Sequence, residues 1–119
     1  MNTNDYHAQI ESVIRLLAPR YGVDPDYAVE IARLESGLNP YAVGDKGKAV
    51  GLWQWWYESW VCVRRAMGLP VTDRRDDVFE STITALYALG VMKLDRWWST
   101  AEKARKNITE RGRCQVSPT

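Results

Sequence analysis

The chain has 119 residues, 45% of them hydrophobic, and a formal net charge of +1 from 16 basic and 15 acidic side chains. That length suits a single domain with a core large enough to surround a cleft, and leaves little room for a second one. A near-neutral balance supplies no global attraction to nucleic acid or to a membrane surface, and no stretch has the length of a membrane span. Charge is uneven locally. Between Lys93 and Arg113, Lys93, Arg96, Lys103, Arg105, Lys106, Arg111 and Arg113 outnumber Asp95, Glu102 and Glu110, which reads as a solvated helix face with a basic bias. Two cysteines, Cys62 and Cys114, are too few for a disulfide framework and match no zinc spacing.

In chain order, Tyr6, Ile10, Val13, Ile14 and Leu17 recur at helical steps and predict an amphipathic helix ending near Pro19 to Gly22. A second helix is bracketed tightly over residues 25 to 36. Asp24 can cap it, Pro25 suits its first position, Gly37 can end it in the left-handed conformation, and Asn39-Pro40 forbids continuation. Residues 41 to 52, with Gly44, Gly47 and Gly51, read as an irregular loop or a short hairpin. Trp56, Trp60, Val63 and Met67 then share one helical face before Gly68 and Pro70 stop it, and Cys62 reads as a small buried hydrophobe.

Asp77 and Glu80 resemble a capping box ahead of a long stripe running from Phe79 through Ile83, Leu86, Tyr87, Gly90 and Leu94 to Trp97. Ser99 with Glu102 repeats the capping signal and predicts a last, polar helix toward Gly112, followed by a flexible tail at about 113–119. The expected fold is all-α: a single compact domain over residues 1–119, of about five helices with one glycine-rich insertion.

Glu35 is the informative residue. Ala32, Ile31 and Ala28 lie three, four and seven positions before it, on the apolar face of its own helix. A carboxyl group there points inward, in a last turn whose free carbonyls carry partial negative charge. Desolvation and the helix dipole both disfavour ionisation, so its pKa is expected to rise. A carboxylic acid that stays protonated near neutral pH can protonate a glycosidic oxygen. The competing reading is a glutamate that curls to the surface or pairs with an arginine.

The run Glu35-Ser36-Gly37-Leu38-Asn39-Pro40-Tyr41-Ala42, with Gly51-Leu52-Trp53-Gln54 after it, resembles the E-S-x-x-N-P-x-A and G-L-M-Q motifs of soluble lytic transglycosylases and goose-type lysozymes. The resemblance covers roughly residues 10 to 95, and the two motifs together are specific. It implies a lysozyme-like domain that cleaves the β-1,4 glycan of peptidoglycan, with Glu35 as the acid, Ser36 supporting it and Gln54 lining the sugar cleft. Gly44-Asp45-Lys46-Gly47 is similar to the goose-type G-D-[RK]-G pattern, which makes Asp45 a candidate second carboxylate. A further goose-type acid, two residues beyond the glutamine, is replaced by Trp56. The late A-Y-N-A-G motif of the transglycosylases finds only Ala85-Leu86-Tyr87-Ala88-Leu89-Gly90, without the asparagine.

Six tryptophans supply flat rings on which sugars can stack. Helical spacing assigns Trp56 and Trp60 to the core and leaves Trp53 or Trp55, with Tyr41, for substrate, while Trp97-Trp98 reads as packing at a helix end. The lone histidine, His7, is remote from both cysteines, so neither a Cys-His nucleophile nor a metal site is expected, and no cofactor is required. The expected partner is a peptidoglycan glycan strand, met by a monomer without nucleic acid. Absence of a secretory signal leads to the expectation of cytoplasmic synthesis, with action on the bacterial cell wall through holin release, virion delivery or a secretion system. The rival class is a non-catalytic peptidoglycan-binding or structural module on the same fold. Duplex DNA binding through the basic segment is a weaker rival, since no docking motif accompanies the charge.

Overall fold

The computed structural model describes the backbone of residues 2–115. Five helices account for most of it: α1 (Thr3–Leu17), α2 (Pro25–Ser36), α3 (Tyr57–Met67), α4 (Val78–Gly90) and α5 (Ala101–Gln115). Between α2 and α3 lies a two-stranded antiparallel hairpin, β1 (Val43–Gly44) and β2 (Ala49–Val50), whose strands pair Val43 with Val50 and Gly44 with Ala49. The glycine-rich insertion is therefore a hairpin, turned by a short 3-10 segment at Asp45–Gly47. Of the tail expected at 113–119, residues 113–115 belong to α5 and 116–119 lie outside the described residues. The side chain of Cys114 is likewise not described, and with it any pairing to Cys62.

The helix ends follow the capping chemistry. Asp24 accepts the Asp26 amide and Pro25 opens α2, while Gly37, at φ 65°, closes it. Asp77 accepts the Glu80 amide at 2.7 Å and starts α4. The buried faces of α1 (Ile10, Ile14, Leu17), α2 (Ala28, Ile31, Ala32) and α4 (Ile83, Ala85, Leu86, Ala88, Leu89) meet in one core. Gly90 lets α4 touch the turn after α1: a Cβ there would fall 1.9 Å from the Tyr21 carbonyl oxygen.

Three expectations need correction. The stripe predicted from Phe79 to Trp97 is not one helix, because α4 stops at Gly90 and the chain turns back through Lys93, at φ 58°, into a 3-10 turn at Asp95–Trp97. That reversal delivers Trp98 to the core, where its indole N–H donates to the Trp53 carbonyl at 2.9 Å. Phe79, at the solvent side of the first turn of α4, is exposed. Cys62 is also exposed, since the buried face of α3 is set by Trp60, Val63 and Arg64.

Two polar anchors fix the arrangement. Arg64, only 2% exposed, donates to the Pro70 carbonyl, to Thr84 and to Glu80, and lies over the Trp60 ring. Glu30, facing α5 from the buried side of α2, accepts from Arg111 and Asn107. Burial alone pushes the Glu30 carboxyl up, but these donors, with Arg33 nearby, overcome it and hold it below the usual carboxylate range. A lowered native pKa means stability that is present above the unfolded value and is lost as pH falls through the native one. Glu30→Gln should therefore cost about 1–2 kcal/mol at neutral pH. In urea titrations the gap from wild type should close in acid, and a constant gap at all pH values would assign the loss to packing instead.

Candidate active site

The C-terminal turn of α2, the hairpin and the 97–100 segment enclose a cleft of about 320 Å³. Glu35 lines it together with Asp45, Gln54, Trp56, Trp97 and Thr100. Ala28, Ile31 and Ala32 are fully buried, so the helical register leaves the carboxyl one turn beyond the core, half-buried at the cleft wall. Burial pushes the Glu35 carboxyl above its ordinary value, and the negative charge of Asp45 pushes it further. A hydrogen bond from the Thr100 hydroxyl opposes both. That hydroxyl donates to Glu35 Oε2 at 2.5 Å.

Thr100 was not legible in the sequence. It stands 65 positions away and enters only because α5 packs across α2; the capping signal at Ser99 pointed to the neighbourhood without singling it out. Thr100 precedes Ala101, the first residue of α5, and its carbonyl accepts the Ala104 amide. Its side chain is thus spent on Glu35 while its backbone starts the helix.

The remaining expected residues divide. Ser36 does not line the cleft: its hydroxyl donates to the Ala32 carbonyl at 3.1 Å and accepts the Asn39 amide at 3.3 Å, while Asn39 accepts the Tyr41 amide. The Ser-x-x-Asn-Pro spacing is thereby a turn-forming device that fixes the exit of the chain from α2. Gln54 does line the cleft, held at φ 52° with its amide donating to the Ala42 and Gly51 carbonyls. Gly51 is obligatory beside it, since a Cβ would lie 2.0 Å from the Arg75 carbonyl oxygen. Arg75 in turn donates to the Lys48 and Trp55 carbonyls and clips the hairpin to the 73–75 loop.

The tryptophans sort differently from expectation. Trp53 is 0% exposed and donates to Thr82, and Trp55 is 2% exposed and donates to the Ser81 carbonyl. Neither presents a ring face to a sugar. Together with Trp60 and Trp98 they form an edge-to-face cluster, with centroids 5.2 to 6.5 Å apart. Trp60 belongs to the core as its spacing predicts, but Trp56, assigned with it to the core, is 41% exposed in the cleft. Trp97, read as packing, is 39% exposed there too. Tyr41 is 69% exposed and is not among the cleft-lining residues. Asp45 sits at the hairpin turn, and its carboxylate accepts the Trp56 indole N–H at 3.3 Å.

The sequence pattern of the transglycosylase SLT domain matches residues 12–102, which includes α2, the hairpin, α3, α4 and the segment carrying Trp97 and Thr100. The chain belongs to this family. It is therefore a glycosidase domain of the lytic transglycosylase type, with peptidoglycan as its substrate. No curated protein matches the chain. Among the described residues no helix is long and apolar enough to cross a membrane.

Removing the Thr100 donor while keeping its shape has a signed consequence. The hydroxyl favours the carboxylate form of Glu35, so Thr100→Val should leave that group protonated to higher pH than in the wild type. Side-chain carboxyl NMR of the two proteins checks it, and an unchanged or lower midpoint in Thr100→Val would count against the bond as described.

Proposed function

We propose that the cleft cuts the β-1,4 bond between N-acetylmuramic acid and N-acetylglucosamine, with Glu35 as acid and then base. The observation that carries this reading is a half-buried carboxyl, raised in pKa by burial and by Asp45, standing in the wall of a cleft that Gln54 of the Gly51-Leu52-Trp53-Gln54 run also lines.

Protonated Glu35 gives its proton to the bridging oxygen, the bond from that oxygen to the muramyl anomeric carbon breaks, and the N-acetylglucosamine portion leaves as an alcohol. The muramyl ring is left oxocarbenium-like. Glu35, now a carboxylate, takes the proton of the muramyl C6 hydroxyl as its oxygen closes on the anomeric carbon. A 1,6-anhydro ring forms, no water is consumed, and Glu35 recovers its proton for the next cycle.

Closure by the substrate's own hydroxyl is favoured over water by the surroundings of Asp45. Its carboxylate accepts the Trp56 N–H, and an indole occupies the position where the goose-type pattern carries a further acid. Asp45 in this reading acts on the charge of Glu35 rather than on water. Hydrolysis by an Asp45-activated water is the second reading, supported by the presence of both carboxyls in one cleft.

Mass spectrometry of fragments released from purified cell wall separates the two: 1,6-anhydromuramyl ends are expected, and reducing ends would transfer the reaction to the Asp45 route. In the same assay Glu35→Gln should lower the rate by about 10²–10⁴-fold, and undiminished clearing by that variant would remove Glu35 from the mechanism. The variant has a second signature. With a raised native pKa, the stability contributed by protonated Glu35 is full below the ordinary value and is lost as pH rises through the raised one. Glu35→Gln escapes that loss and should melt above the wild type at neutral pH, a difference that thermal scans at neutral and acidic pH should show shrinking in acid.

A further inference from the structure

We infer that Arg75 is a positioning residue for the reaction: its guanidinium, which does not line the cleft, fixes the hairpin to the body of the domain and so keeps Asp45 in the wall that holds Glu35. This rests on Glu35 being the acid, and it adds what keeps the surroundings of that acid in place.

The hairpin cannot hold its shape alone. Its strands are two residues each, and a ribbon so short is marginal in water without support. Its turn is also strained, because Asp45 at φ 49° and Lys46 at φ 57° are consecutive non-glycine residues in the left-handed region. Such backbone persists only where its surroundings over-determine it. Among the described residues, Arg75 is the one residue outside 39–56 that hydrogen-bonds to the 43–50 hairpin.

The guanidinium is itself aimed. Nε and Nη2 donate to the two Asp73 oxygens at 2.8 and 2.9 Å, which leaves Nη1 to donate to the Lys48 carbonyl at 3.0 Å and the Trp55 carbonyl at 2.9 Å. Lys48 is the exit of the strained turn, and its amide closes on the Asp45 carbonyl. Trp55 pairs with Val50 and precedes Trp56, whose indole N–H holds the Asp45 carboxylate. One nitrogen thus ties both backbone paths that lead to Asp45. The Arg75 side chain is 11% exposed, so water competes weakly for these bonds.

The sign of the effect separates positioning from charge. Asp45 is the charged group that acts on Glu35, beside the neutral Thr100 hydroxyl; Arg75 is faced by Asp73, Glu58 and Tyr57, and Lys46 and Lys48 belong to the hairpin itself. A loosened hairpin admits water to the Glu35 carboxyl and lets Asp45 recede, so both upward pressures on its pKa weaken and the pKa falls. Loss of a cation acting through space does the reverse, because it disfavours the carboxylate and raises the pKa.

The test follows the Glu35 carboxyl by NMR in Arg75→Met and Arg75→Lys, with pH–rate profiles on purified cell wall beside it. Methionine keeps the length without donors, and lysine keeps the charge without the planar fork. The Glu35 midpoint should fall in both, further in Arg75→Met. Cleavage at neutral pH should slow by about threefold to tenfold in Arg75→Met and by about twofold in Arg75→Lys, with rates in acid near wild type because the group is protonated there in every variant. Arg74→Ala removes a neighbouring cation that pairs with Asp77 and not with the hairpin, and it should leave both readouts unchanged.

A lower melting temperature with the Glu35 midpoint unmoved or raised would make Arg75 a purely structural residue and overturn the inference, as would a shift in Arg74→Ala equal to that in Arg75→Met. Should Arg75→Met fail to fold, Arg75→Lys decides by the same reading. A lowered midpoint with an unmoved rate profile would uphold the positioning and remove Glu35 as the acid, so the two failures are distinct.

Discussion

The crossing of α5 over α2 is the constraint on which the site depends. At one end of the contact the buried Glu30 carboxylate is bonded by Arg111 and Asn107; at the other, Thr100 meets Glu35. Ala101 and Ala104 of α5 are buried against the core between them. The small side chains allow the helices to approach closely, and the polar bonds fix where along α2 they do so. Without that crossing, Glu35 would be a C-terminal helix carboxylate in open water, with no burial to raise its pKa. With it, the two glutamates of one helix are driven in opposite directions, Glu30 toward ionisation by cationic and amide donors and Glu35 toward protonation by burial and a neighbouring anion. Environment, not residue type, separates their roles.

The tryptophans extend the same division of labour. Four of them build a wall whose N–H groups all reach acceptors, Thr82, the Ser81 and Thr72 carbonyls and the Trp53 carbonyl. Indoles can be buried because those donors are satisfied. This wall supports the back of the cleft, holding Gln54 and the 97–100 segment in register. Trp56 instead gives its N–H to an exposed carboxylate. It therefore stays at the rim, and by binding Asp45 it links the open surface of the cleft to the group that raises the pKa of Glu35.

Helix ends and helix faces were readable from residue order because the physics that sets them is local. Asp24, Pro25, Gly37 and Asp77 act on backbone amides and dihedrals within a turn of themselves, and Ala28, Ile31 and Ala32 locate the buried face that carries Glu35 by periodicity alone. Where the chain leaves a regular period, that logic fails. Trp53 to Trp56 span a reversal in which Gln54 sits at φ 52° and Trp55 pairs with Val50, so neither a 3.6- nor a 2-residue repeat tells which ring faces inward. The same failure turned a stripe from Phe79 to Trp97 into a helix, a reversal and a 3-10 turn.

What residue order determined by itself was a bundle of helices, the motif that marks the family, and one glutamate placed at the edge of a core. Tertiary structure alone decided that Thr100 would meet that glutamate, that Asp45 would lie near enough to raise its pKa, and that Trp56 and Trp97 rather than Trp53 and Trp55 would face the cleft. The reason is range: caps and periodicities act over a few residues, whereas desolvation and charge coupling depend on whatever distant segments the packing of helices brings alongside.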